Sequence, residues 1–571
     1  MYLTSDYAVY VWHAMNVHLS ASSLRCSPVE RPNDFWGRYD GHARGEPIVG
    51  RAAVPLDSFG AQFPMHGACP HIRTFATVHH VVTTLPLLLS HAHARVRQAL
   101  AIALLFTVPV AQAQAQRGRG GAPAAAAPDA PSIPYPSSLP TGRVTYRTLS
   151  ETNHELARIA ALYPSTVKRF ELSHKSLLGQ TMWALEISHH VQANSGKPVF
   201  LMTGLHHARE WPTVELTLEF VWDLLKNDGV DARITSLLDS VRFIVVPVVN
   251  PDGYDLSRSL LHEQKRKSCR IEMGRVPTWA ECAAPSNGNA GVDLNRNYGA
   301  FWGGGGATIG VAGGSSRGEA PFSEPEIRSM RDLLSSNQVV VALSNHTPDA
   351  KVLRVPSAAE EPVPADVVPY DSLAQALGGD LKWPAGPWPQ IYYVASGTLE
   401  ETAYYSAGTF AFTFENAPGQ RSFHPPYSFV IDQYAGTGAY PGSSARAGFL
   451  RLLGAAANPA LHSMLRIRAP SGATLTLEKK FSLETSPVIN ADSTRGAALQ
   501  VPMHLTSSMV VPRGTTEVTW HVNPSVRPSQ KAQDWLPESW TLTCRFNGRS
   551  KSVEVMVRRG ATASVNLGTC R

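Results

Sequence analysis

The chain has no apolar run of the roughly 20 residues needed to cross a bilayer, so no transmembrane anchor is expected. It is poor in cysteine, with six in 571 residues, and none of the six stands in a C-x-x-C pattern. That argues against a zinc site built on thiolates. A large excess of charge of one sign is missing as well. The formal net charge is only +6, and no long basic run is interleaved with aromatics, which excludes a nucleic-acid footprint and reads as a solvated surface. What is present is a globular composition, 43% hydrophobic and 17% charged, in a chain too long for one core. Two domains with appendages are expected.

The longest apolar stretch, Ala99 to Val110, has the length of a signal-peptide core. Arg95 and Arg97 precede it, and Ala111-Gln112-Ala113-Gln114-Ala115 follows as a small-x-small cleavage pattern. Residues 96–115 therefore read as an export signal, and the product is expected to be secreted or periplasmic. Such a signal does not work behind residues 1–95, which hold no sustained helical or strand period. Translation is thus expected to begin near Val96, through a start codon that also reads as valine, with 1–95 a spurious extension. Residues 116–140, rich in Gly, Ala and Pro, bury too little apolar surface to fold and read as a linker. Cys26 and Cys69 fall in the extension. The other four form close pairs, Cys269 with Cys282 and Cys544 with Cys570, suited to disulfides in an oxidising compartment.

From 141 to 458 the texture alternates. Helices are predicted at Ser150 to Tyr163, Trp211 to Lys226, Glu324 to Ser336 and Ser443 to Ala457 from their apolar spacing. Strands are predicted at Thr181 to Ser188, Val199 to Thr203, Val241 to Val249, Val339 to Ser344 and Thr409 to Phe414, several of them continuous apolar runs that read as buried on both faces. The pattern implies an α/β domain, a mixed central β-sheet flanked by helices. From 459 to 571 it switches to short strands, at Thr474 to Glu478, Gln500 to Thr506, Glu517 to Val522, Ser539 to Phe546 and Ser552 to Val557. These read as a small C-terminal all-β sandwich, with Trp520, Trp535 and Trp540 taken as core residues.

The segment His206-His207-Ala208-Arg209-Glu210 follows a buried strand and opens a helix, the place where α/β ligand sites form. His207 and Glu210 are three apart, which brings an imidazole and a carboxylate to one side of a turn. That pair suits zinc, but a catalytic site needs a third ligand and an open position. His346 qualifies, because it ends the run from Val339. Glu415 ends a third buried strand, where a carboxylate is either salt-bridged or catalytic. Asp293-Leu294-Asn295-Arg296 is a polar cluster suited to gripping a free carboxylate, Arg by a two-pronged contact. Gly314-Ser315-Ser316-Arg317-Gly318 matches a serine-hydrolase elbow, but follows a glycine-rich loop rather than a strand and is rejected.

In this order these segments resemble the zinc carboxypeptidase family of pancreatic carboxypeptidases A and B and bacterial carboxypeptidase T, from about Thr145 to Ala457. The resemblance implies one zinc ion per chain, held by His207, Glu210 and His346, and Glu415 as the general base. It places the transition-state arginine at Arg266, within Gln264-Lys265-Arg266-Lys267. It assigns the substrate's terminal carboxylate to Asn295 and Arg296, the closing tyrosine to Tyr393, a neighbouring subsite to Arg209, and the orienting of His207 to Asp293. Glu400, seven positions after Tyr393, falls where the family sets side-chain preference, and an acid there implies C-terminal Lys or Arg. The implied partners are peptide or protein C-termini, met by a monomer. Two rivals keep the fold: a cell-wall peptidase cutting before a diaminopimelate-type residue, and a non-catalytic scaffold, which intact metal, base and carboxylate-binding positions disfavour.

Overall fold

The β-branched runs form the centre of a mixed sheet because strands apolar on both faces must be covered on both. In a computed structural model, the residues described are 137–193, 196–416 and 422–570. The expected extension, export signal and linker up to residue 136 lie outside them. Eight strands make the sheet: β1 Val167–Glu171, β2 Trp183–Ile187, β3 Val199–Gly204, β4 Arg242–Val246, β5 Val339–His346, β6 Lys351–Arg354, β7 Ala385–Pro387 and β8 Phe410–Glu415. Their order is β1-β2-β4-β3-β5-β8-β6-β7. The centre, β4, β3, β5 and β8, is parallel; β1 and β2 pair antiparallel to their neighbours, and β6 pairs antiparallel to β8 but parallel to β7.

β3, β5 and β8 are buried along their whole lengths. The helices Pro212–Asn227 and Ala445–Ala457 pack on β3 and β5, and the helix Leu399–Ala407 packs on β8 and β5. Register then aligns the strand ends: Gly204 lies beside Asn345, and His346 beside Glu415. Residues far apart in sequence thereby share one sheet edge. Outside the sheet, the Arg147 guanidinium is held by Glu155, Glu215 and Glu219. Removing a buried cation from such a cluster costs about 3–5 kcal/mol, because the carboxylates are left uncompensated.

The fourth strand is shorter than predicted. It stops at Val246 rather than Val249 because Pro247 has no N–H for the ladder, and the chain turns into the helix Pro251–Arg258. Among the described residues no helix is long and apolar enough to cross a membrane.

Beyond the sheet lie β9 Ser463–Arg468, β10 Thr474–Glu484, β11 Gln500–Val510, β12 Glu517–Val522, β13 Arg527–Pro528, β14 Trp535–Leu536, β15 Trp540–Phe546, β16 Arg549–Val555 and β17 Thr562–Asn566. They form an antiparallel sheet β11-β10-β15-β16, a sheet β12-β9-β17 and the small pair β13-β14. Leu465, Ile467, Leu475, Leu477, Trp520, Trp540 and Leu542 share one apolar cluster. Trp535, by contrast, is only half-buried. Disulfides join Cys269 to Cys282 and Cys544 to Cys570. Leu483, Val501 and Met503 of the β10–β11 hairpin belong instead to the core of the large sheet.

Candidate active site

Gly204 ends β3 where the backbones crowd: a Cβ there would lie 2.7 Å from the Pro247 carbonyl oxygen. The next residue, Leu205, has φ +58°, and its N–H donates to Thr213 Oγ1 at 3.1 Å. The chain thus turns across the sheet edge before the helix starts at Pro212, and the turn carries His207 and Glu210.

His207 Nδ1 lies 2.8 Å from Glu210 Oε1. His346 Nδ1, arriving from the end of β5, lies 3.0 Å from His207 Nδ1 and 3.1 Å from Glu210 Oε2. One ligand atom from each of the three residues falls within 4.8 Å of the others, and all three residues are buried. Two imidazole nitrogens and a carboxylate meeting at one point form the donor set of a three-ligand zinc site. The far nitrogens are also occupied: His207 Nε2 is 3.1 Å from Asp293 Oδ1, and His346 Nε2 is 2.8 Å from Ser344 Oγ. Outer partners of this kind fix ring orientation and tautomer. Burial pushes the His346 imidazole down to about 4. Burial works against charge on Glu210, yet His207 and His346 hold its carboxyl well below the usual range. Both shifts favour the unprotonated forms that bind metal. The residues present fit zinc.

Asp293 connects this cluster to Arg266, whose Nη2 and Nε lie 2.8 and 3.1 Å from Asp293 Oδ2. Burial opposes ionisation of Asp293, but Arg266, His207 and Arg296 hold it well below the carboxylate range. Arg266 Nη1 reaches to 3.9 Å from Glu210 Oε1. Glu415, beside His346 in the sheet, is 5% exposed. Burial, then Glu210 and Asp349, raise its proton affinity.

The same Asp293 carboxylate caps the turn Leu294–Arg296 by accepting from the Asn295 N–H at 3.0 Å. Asn295 Oδ1 accepts from the Leu399 N–H at 3.1 Å, and Asn295 Nδ2 is 3.4 Å from His346 Nε2. Arg296 donates from Nη1 to the Asn295 carbonyl at 2.7 Å, from Nε to the Gly306 carbonyl at 3.3 Å and from Nη2 to Tyr393 Oη at 3.4 Å. Tyr393 is 40% exposed. Arg209 stacks its guanidinium over Phe423 at 3.9 Å, and its buried Nε has no hydrogen-bond partner. With Gln264, Arg266, Lys267 and Asn289 it lines a cleft of about 270 Å³.

Glu400 sits in the first turn of the helix Leu399–Ala407 and is fully buried. The Thr413 hydroxyl donates to Oε1, while Oε2 is buried without a partner. Burial raises its proton affinity, partly offset by Thr413. Ser316, the serine of the rejected elbow motif, is buried in a loop and pairs with Thr308 through an isolated bridge.

Sequence reasoning passed over His206, Ser344 and Gly306. His206 Nε2 is 2.8 Å from Tyr298 Oη and its Nδ1 is 3.1 Å from Ser344 Oγ, so Ser344 links the two histidines. A hydroxyl two residues before His346 is a signal only once alternation in β5 is known to place both side chains on one face.

The sequence profile described as zinc carboxypeptidase matches residues 152–437, just over half the chain. The chain belongs to the zinc carboxypeptidase family. Carboxypeptidase A2 of Rattus norvegicus is 30% identical over 276 residues, covering 47% of this chain and 62% of its own length. Carboxypeptidase B of Bos taurus is 27% identical over 286 residues, covering 48% and 63%. The chain thus spans less than two thirds of these relatives. The crystal structure of carboxypeptidase A from Helicoverpa armigera covers 55% of this chain and 74% of that one, with 23% identity and a TM-score of 0.46. The family is one of zinc enzymes, and His207, Glu210 and His346 are grouped where they could hold the ion.

Proposed function

We propose that the protein hydrolyses the last peptide bond of peptides, releasing single C-terminal residues. One observation carries this reading: around the His207, Glu210 and His346 cluster the fold gathers Glu415, beside His346 in the sheet, Arg266, bonded to Asp293, and the turn of Asn295 and Arg296, with Tyr393 beside Arg296. Zinc bound there would polarise the scissile carbonyl and bring the acidity of a water close to pH 7, a pKa of about 7.

The protein's own residues do the rest. Asn295 and Arg296 bind the terminal carboxylate with charge-assisted hydrogen bonds, and Tyr393, already beside Arg296, closes over it. This fixes which carbonyl reaches the metal cluster, and orientation of that kind is a large part of catalysis. Glu415 takes the water's proton and returns it to the leaving amine. Arg266 faces the charge growing on the carbonyl oxygen, a role whose loss costs about 3–4 kcal/mol. Asp293 holds both His207 and Arg266 in place. Arg209 lines the site for the residue upstream of the scissile bond.

Glu400 supports a preference for C-terminal Lys or Arg. A buried carboxylate oxygen without a partner is costly, and a cationic substrate side chain would satisfy it. The two disulfides support export to an oxidising compartment, in line with the signal read at 96–115.

The test is release from paired peptides ending in Arg or Phe, using protein from Gln116 onward. Each pair is run with zinc, with a chelator and as Glu415→Gln. Release that is chelator-sensitive, lost in the variant and faster for Arg is the expected result. Faster cleavage of Phe would overturn the basic preference, and zinc binding without any release would overturn the carboxypeptidase reading.

A further inference from the structure

The loop Gly303 to Gly306 has no side chains with which to hold itself, and glycine loses more conformational freedom on ordering than any other residue. It is nevertheless ordered against the substrate side of the site. The Gly306 carbonyl accepts from Arg296 Nε at 3.3 Å. A Cβ on Gly306, which has φ +76°, would overlap the Val394 carbonyl, next to Tyr393. The loop thus touches both the arginine and the tyrosine segment assigned to the terminal carboxylate.

Its other face is held by the β10–β11 hairpin and the connection Thr485 to Leu499, beyond the segment that matches the family. The Phe301 N–H donates to the Glu484 carbonyl at 3.1 Å, and the Ile489 N–H donates to the Gly303 carbonyl at 3.1 Å. Val488 lies 3.4 Å from where a Cβ on Gly303 would stand, and Ser486 fills the space a Cβ on Gly304 would need. The connection is itself anchored. Thr485 and Ser486 are buried, Glu484 exchanges backbone hydrogen bonds with the Gln530 amide at 2.9 and 2.8 Å, and Val501 enters the main core.

We propose that this hairpin is a strut that positions the carboxylate clamp, with Ser486, Val488 and Ile489 as positioning residues acting through Gly303 to Gly306 on Arg296. The C-terminal β-structure is then part of substrate binding. The inference rests on the reading of Arg296 as the clamp, and the experiment separates the two. In the full chain, Ile489→Pro removes the hairpin's own donor to the Gly303 carbonyl, which also accepts from Arg317 Nη1 at 3.1 Å, and Val488→Ala trims the packing without touching the backbone. Arg296→Ala is the reference.

For a peptide with a free C-terminus, Ile489→Pro is expected to raise KM about tenfold, as a small misplacement of a binding group does. Its kcat should stay within about twofold, the pattern of lost uniform binding. Zinc content is expected to be unchanged. Val488→Ala should show the same split at about threefold, and covers the case in which Ile489→Pro does not fold. The double variant Ile489→Pro with Arg296→Ala should fall short of the product of the singles, because both act on one contact. A raised KM in Arg296→Ala with unchanged KM in both hairpin variants would overturn the strut alone. So would a loss of kcat and melting temperature together, or effects that multiply fully. An unchanged KM in Arg296→Ala would overturn the clamp reading, and the strut with it.

Discussion

His207, Glu210 and His346 stand on or beside the ends of β3 and β5, and the far nitrogen of each histidine is occupied, by Asp293 or by Ser344. Arg296 ends a short turn and Tyr393 stands on a loop; Arg296 donates at 2.7 Å to the Asn295 carbonyl next door, but its contacts to other segments are 3.3 Å to the Gly306 carbonyl and 3.4 Å to Tyr393. The first half is fixed by the register of parallel strands, which sets His346 beside Glu415, and by the turn after β3 that carries His207 and Glu210. The second is fixed by glycine backbone pressed between two regions of the chain. Metal geometry tolerates little error, so it is placed on rigid elements. The carboxylate clamp, by contrast, is positioned by packing between separate segments rather than by a sheet ladder.

The contrast is broken most severely on the rigid side. Glu415→Gln should lower kcat by about a thousandfold while zinc stays bound, measured by steady-state release and metal analysis, since a positioned base contributes about 10²–10⁴. Asp293→Asn should weaken zinc binding by about 10–100-fold, read by competition with a chelator, because it removes the partner that orients His207. On the substrate side, Glu400→Gln should cut the Arg-to-Phe ratio of kcat/KM by about thirtyfold, the effect of unpairing one buried charge, with metal affinity unchanged.

The smallest effect concerns a buried acid outside both halves. Burial pushes the Glu361 carboxyl up from 4.5 to about 7. A group that holds its proton more tightly when folded stabilises the protein fully below its unfolded value and loses that contribution as pH rises through the folded one. The melting temperature should therefore decline between pH 4.5 and about 7, and Glu361→Gln should flatten that slope. An equal slope in the variant would assign the decline to other groups.

Much of the large sheet was legible because its strands are continuous apolar runs bounded by turn residues. Val339 to Ser344 needs no context to be read as buried. β9 and β17 were not legible: Ser463–Arg468 and Thr562–Asn566 are short and half polar, and they become strands only by pairing with each other and with β12. The eleven-residue length of β10 and β11 also escaped notice, since exposed Lys480, His504 and Ser508 dilute the apolar signal. In the site, the three-residue spacing of His207 and Glu210 was visible, while the link from Ser344 to His346 and His206 was not.

The sequence by itself determined the residue types and their spacing, and hence the family and the α/β alternation, because local periodicity and motif chemistry are short-range properties. Only the tertiary structure decided that His346 and Glu415 end side by side, that the Nδ1 atoms of His207 and His346 point at each other, and that a hairpin from beyond the family segment reaches the loop behind Arg296. Those facts depend on strand order, register and packing between segments far apart in the chain, where no local pattern carries the information.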